Sequence, residues 1–161
     1  MELIQEPTNE FNKNDFFKSL NEYGQEIKIK CLDVSNDVKK SSLNNSYLIY
    51  LTFEILNDFP IYKNNQGQVI KINPLNQIIK IAYTLKQTRV KNVYEVSNHA
   101  NLYPLLNFAL KQNKIINENN TKGFNINLNE IQENLKGIIF NIKCVLEKNT
   151  SFKPYYKLIT C

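Results

Sequence analysis

Tryptophan is absent from this chain of 161 residues, and one His, one Met, three Cys and four Gly are all it has of those types. Arg89 is the single arginine. Each scarcity removes a class of chemistry. With four Gly and no G-x-x-x-x-G-K-[ST] or G-x-G-x-x-G run, a backbone cradle for nucleotide phosphates is not expected. A Ser-His-Asp or Cys-His arrangement would have to use His99, which falls in a polar stretch ahead of a helix and reads as a loop residue. Cys31, Cys144 and Cys161 are far apart and form no C-x-x-C pair, so neither a zinc site nor a disulfide framework is expected. No apolar run approaches the roughly 20 residues a membrane helix needs. Met1 to Ile4 carry neither a basic nor an apolar leader segment, and the odd cysteine count points to a reducing cytoplasm. The nearest set of carboxylates, Asp33, Asp37 and Glu54, reads as solvated strand ends and not as a metal site. No catalytic residue, no metal and no cofactor is expected.

What the chain does contain is lysine. Formal net charge is +5 and the pI is near 9.0, with hydrophobic residues at 42%, the proportion of an ordinary globular domain. That balance admits an anionic partner such as nucleic acid. The plainer reading is compositional, because Asn, Lys and Ile crowd the whole chain. The length suits a single domain with a real core. Residues 1–24 read as a polar tail and a short helix, and residues 25–161 as one domain.

Asn14 is the expected cap of a helix from Asp15 to about Tyr23, closed by Gly24. This helix should plug one end of the core. A strand is expected over Glu26–Val34, with Ile27, Ile29 and Cys31 on one face. Tyr47–Leu56 should form a second strand, with Tyr47, Ile49, Leu51, Phe53 and Ile55 on one face and Leu48, Tyr50, Thr52 and Glu54 on the other. Residues 57–68 read as a connection, and Val69–Ile72 as a short strand. Asn73-Pro74 resembles a helix start, and Leu75, Ile78, Ile79, Ala82 and Leu85 recur at helical spacing. A helix over Pro74–Lys86 is therefore expected, with a β-branched strand as the competing reading. Val90–Val96 should be extended. Asn101, with Pro104 at N3, should open a helix carrying Leu102, Leu105, Leu106, Ala109 and Leu110. Asn127 and Glu130 have the spacing of a capping box for a helix over Leu128–Leu135, ended by Gly137.

The clearest hairpin is the last. Ile138, Phe140, Ile142, Cys144 and Leu146 alternate with Ile139, Asn141, Lys143, Val145 and Glu147. A polar break and a second β-rich run, Tyr155–Thr160, follow. With its leading Leu135-Lys136-Gly137 and Phe140 (L-K-G-x-x-F), this hairpin resembles the closing strands of OB-type single-stranded-DNA-binding proteins from phages and mobile elements. The element order fits that resemblance. The expected fold is α+β: an OB-fold-like five-stranded barrel or a strongly curved antiparallel sheet. A helical insertion, about residues 73–134, separates the two hairpins. The resemblance implies a working surface on strands two and three and on the flanking loops. There Lys39, Lys40, Lys71, Lys148 and Lys153 would meet phosphates, while Tyr50, Phe152 and Tyr155 or Tyr156 would stack on bases. The expected partner is single-stranded nucleic acid, with self-association possible. The rival is an assembly module that pairs through a sheet edge.

Overall fold

The computed structural model describes residues 12–35, 38–40, 46–57, 61–65, 68–118, 121–149 and 152–161. The expected polar tail up to residue 11, Asp37, Pro60 and Gly67 lie outside them. In chain order the elements are α1 (Lys13–Tyr23), β1 (Ile27–Val34), β2 (Lys39–Lys40), β3 (Ser46–Ile55), β4 (Ile61–Asn65), β5 (Gln68–Ile72), β6 (Ile78–Gln87), β7 (Val93–Val96), α2 (Tyr103–Gln112), β8 (Phe124–Asn127), α3 (Leu128–Leu135), β9 (Ile139–Asn149) and β10 (Phe152–Thr160). Among the described residues, eight strands form one antiparallel sheet in the order β10-β9-β1-β3-β6-β7-β8, with β2 beside β3. The sheet curls strongly into a half-barrel, so the α+β expectation and its curved-sheet form hold. A separate two-stranded ribbon, β4–β5, leaves the sheet between β3 and β6.

Alternation explains the strands. Ile27, Ile29 and Cys31 on β1, Ile49, Leu51, Phe53 and Ile55 on β3, and Phe140, Ile142 and Cys144 on β9 are all buried. Their odd-even partners face outward. The inner face is closed by Leu105, Leu106, Ala109 and Leu110 of α2 and by Ile131 and Leu135 of α3. α1 adds Phe16, Phe17 and Leu20 to this core and packs along β9, β10 and β4. Lys13 Nζ, at the start of α1, donates to the Lys80 carbonyl at 2.9 Å. Two register shifts assist the curl. One falls between Cys31 and Asp33 on β1, the other between Phe152 and Tyr155 on β10. Pro154 sits inside the second, where a strand tolerates a missing N–H.

Several expectations need correction. The helix expected over Pro74–Lys86 is strand β6. Ile79, Tyr83 and Leu85 are buried, Lys80, Ala82 and Thr84 exposed, and the strand pairs with β3 from Ser46↔Lys86 to Glu54↔Ile78. A ladder with β3 outweighs a helical spacing that alternation also satisfies. Asn73-Pro74 opens a turn instead: Asn73 Oδ1 accepts from the Leu75 N–H at 3.0 Å, and Asn76 is left-handed at φ 65°. The expected connection over 57–68 contains β4. The cap of α1 is Asn12, two residues before Asn14, its Oδ1 accepting from the N–H groups of Asn14 (2.8 Å) and Asp15 (3.2 Å). Asn101 does not cap α2. Leu102 holds the N-cap position without a side-chain bond, which places Pro104 at N2. The capping box at Asn127 and Glu130 forms as expected, and so does the closing hairpin. The central segment carries α2 and α3, and it also supplies β6, β7 and β8 to the sheet.

Candidate nucleic-acid interface

The outer face of the sheet is assembled from the positions that alternate with the core. Register places Lys28 opposite Asn141, Lys30 opposite Ile139 and Glu54, Thr52 opposite Lys80, and Tyr50 opposite Ala82. Further along lie Lys143 opposite Ile159, and Lys157 opposite Val145. On β1, β3, β6, β9 and β10 the outward positions among the described residues therefore hold Lys28, Lys30, Lys80, Lys86, Lys143 and Lys157. Against them stand Asp33, Glu54 and Glu147. The face is basic, and it has an aromatic at its centre. Tyr50 is half-buried on β3, and the Lys80 ammonium lies 5.0 Å from its ring centroid. That is cation–π distance.

The residues expected to bind nucleic acid lie on three hairpins. Lys39 and Lys40 are exposed on β2, opposite Leu48 and Tyr47. Lys71 lies on the β4–β5 ribbon opposite Tyr62, and Phe152 opens β10 opposite Asn149; both side chains fall outside the described structure. Lys148 and Lys153 are exposed near the tip of the β9–β10 hairpin. Tyr155 is on the outer face at 40% exposure, whereas Tyr156 packs against the core. Among the described residues no hydrogen bond, ion pair or ring contact joins one of these to another. The structure instead ties Tyr50 to Lys80 and Tyr155 to Asn101, whose Oδ1 accepts the Tyr155 hydroxyl at 3.3 Å.

That second contact leads to a feature the sequence did not reveal. β7 pairs with β6 only at Lys86↔Glu95 and Gln87↔Tyr94, and then the chain turns away toward α2. A cavity of ≈ 320 Å³ opens where the strands part, lined by Thr84, Lys86, Glu95, Ser97, His99 and Asn101. Ala82, the direct neighbour of Tyr50, also lines it. The basic face, its aromatic and the cavity are thus one continuous surface. His99, read from sequence as a loop residue, lies in that loop and borders the cavity. Lys80 and Lys86, at even spacing on β6, are the signal in the sequence, and a helical spacing conceals that they share a face.

Asp33 of the expected carboxylate set lies 3.3 Å from Lys136 Nζ, and Glu54 faces Lys30 across the ladder. No group of metal-ligating side chains occurs among the described residues. Nor, among them, is any helix long and apolar enough to cross a membrane. The fold and surface define a curled antiparallel half-barrel with a basic, aromatic-bearing outer face. No protein family, curated protein or solved structure matches the chain.

Proposed function

We propose that this chain is a non-catalytic protein that binds single-stranded nucleic acid, DNA in the first instance, on the outer face of its curled sheet. The observation that carries this reading is Tyr50, presented on a central strand beside Lys80 with lysines on the flanking strands. A single strand needs both elements: cations along the phosphate path and ring faces on which bases stack. Lysines supply affinity without sequence choice. Lys39, Lys40, Lys148 and Lys153 extend the same charge toward the hairpin ends. The three free thiols among the described residues agree with a reducing cytoplasm as the working compartment.

A second reading rests on a different feature. From Ile78 to Leu85 the β6 edge away from β3 has no strand partner among the described residues. Such an edge could pair with another copy or with an extended segment of a partner.

Fluorescence anisotropy with a labelled oligo-dT of about thirty nucleotides, beside a duplex control, separates the two. Phosphate contacts weaken steeply with salt, and edge pairing does not. The expected result is binding that prefers the single strand, falls with salt, and weakens by about 1–3 kcal/mol in Tyr50→Ala. Charge reversal at Lys39, Lys40 and Lys153 together should lower affinity further without changing oligomeric state. No binding to either probe at low salt would overturn the nucleic-acid reading in favour of assembly.

A further inference from the structure

The cavity beside Tyr50 carries a step beyond general strand binding, and it rests on the nucleic-acid reading above. Lys86 and Glu95 face each other directly across the β6–β7 ladder. Among the described residues, neither side chain makes an ion pair or a hydrogen bond. Both line a cavity of ≈ 320 Å³, the small end of the usual ligand-pocket range of about 300–1,000 Å³. The surrounding groups include donors. Asn101 Oδ1 is engaged by the Tyr155 hydroxyl at 3.3 Å, which leaves the Asn101 amide N–H₂ to donate. Ser97 Oγ accepts the His99 backbone N–H at 3.3 Å and retains its own O–H. The cavity therefore presents one acceptor-only carboxylate, with the Lys86 ammonium, the Asn101 amide, the Ser97 and Thr84 hydroxyls and the His99 imidazole around it.

An occupant that engages both oxygens of Glu95 offers it two adjacent donors, with acceptors toward Lys86 and Asn101. Thymine and uracil offer one ring N–H between two carbonyls. Cytosine and adenine each offer one amino group beside a ring acceptor. Guanine offers two neighbouring donors, N1–H and the 2-amino group, matched to two carboxylate oxygens. Its O6 and N7 lie on the other edge as acceptors. We propose that this cavity is a guanine subsite. It reads one base of the bound strand while the neighbouring base stacks on Tyr50, whose cross-strand partner Ala82 lines the cavity. Unstacked bases of single strands are read in this way, on their hydrogen-bonding edges.

The test is competition. Unlabelled oligo-dT competitors carrying one central dG, dA or dC displace labelled oligo-dT from the whole protein, from the wild type and from Glu95→Gln. The dG competitor should be about tenfold stronger than all-dT, and Glu95→Gln should bring that ratio close to one. The readout is a ratio of affinities, so a loss of folded protein does not imitate the effect. If oligo-dT binds but the single dG changes nothing, or dA or dC is preferred, the subsite is overturned while the strand-binding reading stands. A dG preference that survives Glu95→Gln also overturns it, because the reading group then lies elsewhere. If no oligonucleotide binds at low salt, the strand-binding reading falls and the subsite falls with it.

Discussion

Cys31 and Cys144 sit on the inner face of β1 and β9, each on the buried side of its strand. Burial pushes each thiol up from the ordinary value of 9.0 to about 12; at Cys31 a backbone hydrogen bond of Asp33 opposes that push. Such thiols are inert toward oxidants and alkylating agents. Cys161 is exposed at the chain end. A thiol reagent should therefore modify one cysteine in the native protein and three after denaturation, and rapid labelling of a second native thiol would contradict the packing. The same burial has a pH consequence. In the unfolded chain these thiols ionise from about pH 9, whereas in the folded chain they hold their protons until about 12. Their contribution to stability is fully present below pH 9 and is lost as pH rises from 9 toward 12. Each thiol adds a decline of about 1.4 kcal/mol per pH unit at most. Urea midpoints measured from about pH 7 to 10 should stay flat and then fall, and the fall should be shallower in a Cys31→Ala/Cys144→Ala double variant. An equal slope in that variant would mean that other groups govern the alkaline limit. The core role of both cysteines is legible from alternation alone, because Cys31 follows Ile27 and Ile29 at two-residue spacing and Cys144 lies between Ile142 and Leu146.

At the scale of elements, Gly123 is the position with least freedom. It leads into β8 at φ +90°, and a Cβ there would lie 2.5 Å from the Val96 carbonyl oxygen and 2.9 Å from Ser97 Cα. Both obstacles are backbone, and Val96 is paired with Phe124, so neither moves without opening the β7–β8 ladder. Gly24, which ends α1, is left-handed at φ +58°, and a Cβ added there would meet nothing within 4 Å. Gly24→Ala should cost about 1 kcal/mol, the strain of the left-handed conformation alone. Gly123→Ala should cost more than about 2 kcal/mol by the same urea measurement. Equal losses would show that the β7–β8 turn yields easily. Asn127→Ala removes the cap of α3 and should cost about 1 kcal/mol. That cap was legible because a capping box is wholly local, and the closing hairpin was legible for the same reason. β6 was not, since Leu75, Ile78, Ile79, Ala82 and Leu85 suit a helix as well as Ile79, Tyr83 and Leu85 suit a strand. Its nine-pair ladder with β3 decides the matter, and a ladder is a property of two segments. β4 (Ile61–Asn65) carries its apolar residues only at its start, and the alternation of β8 (Phe124–Asn127) spans just four residues, too few to mark a strand.

The whole molecule joins what the sequence separates. Ile27 pairs with Ile142, and the candidate surface draws on β1, β3, β6, β9 and the loop before α2. The basic charge and the individual tyrosines were legible residue by residue. The surface they make was not, because Lys80 meets Tyr50 only once β6 is a strand beside β3. Binding assays can resolve how much of that surface a bound strand uses. Each phosphate neutralised on single-stranded DNA contributes about −0.7 to the slope of log K against log salt. Six outward lysines are available, although Lys143 already lies 3.7 Å from Glu26 and Lys30 faces Glu54. A strand confined to the sheet face should therefore engage about three to five of them and give a slope of about −2 to −3.5. A slope steeper than about −5 would require the Lys39–Lys40 ridge and the hairpin-tip lysines to join the same footprint. Reversal of Lys39, Lys40 and Lys153 would then flatten the slope by about 2. A slope near zero would detach the affinity from phosphate altogether and leave the unpaired β6 edge as the surface to pursue.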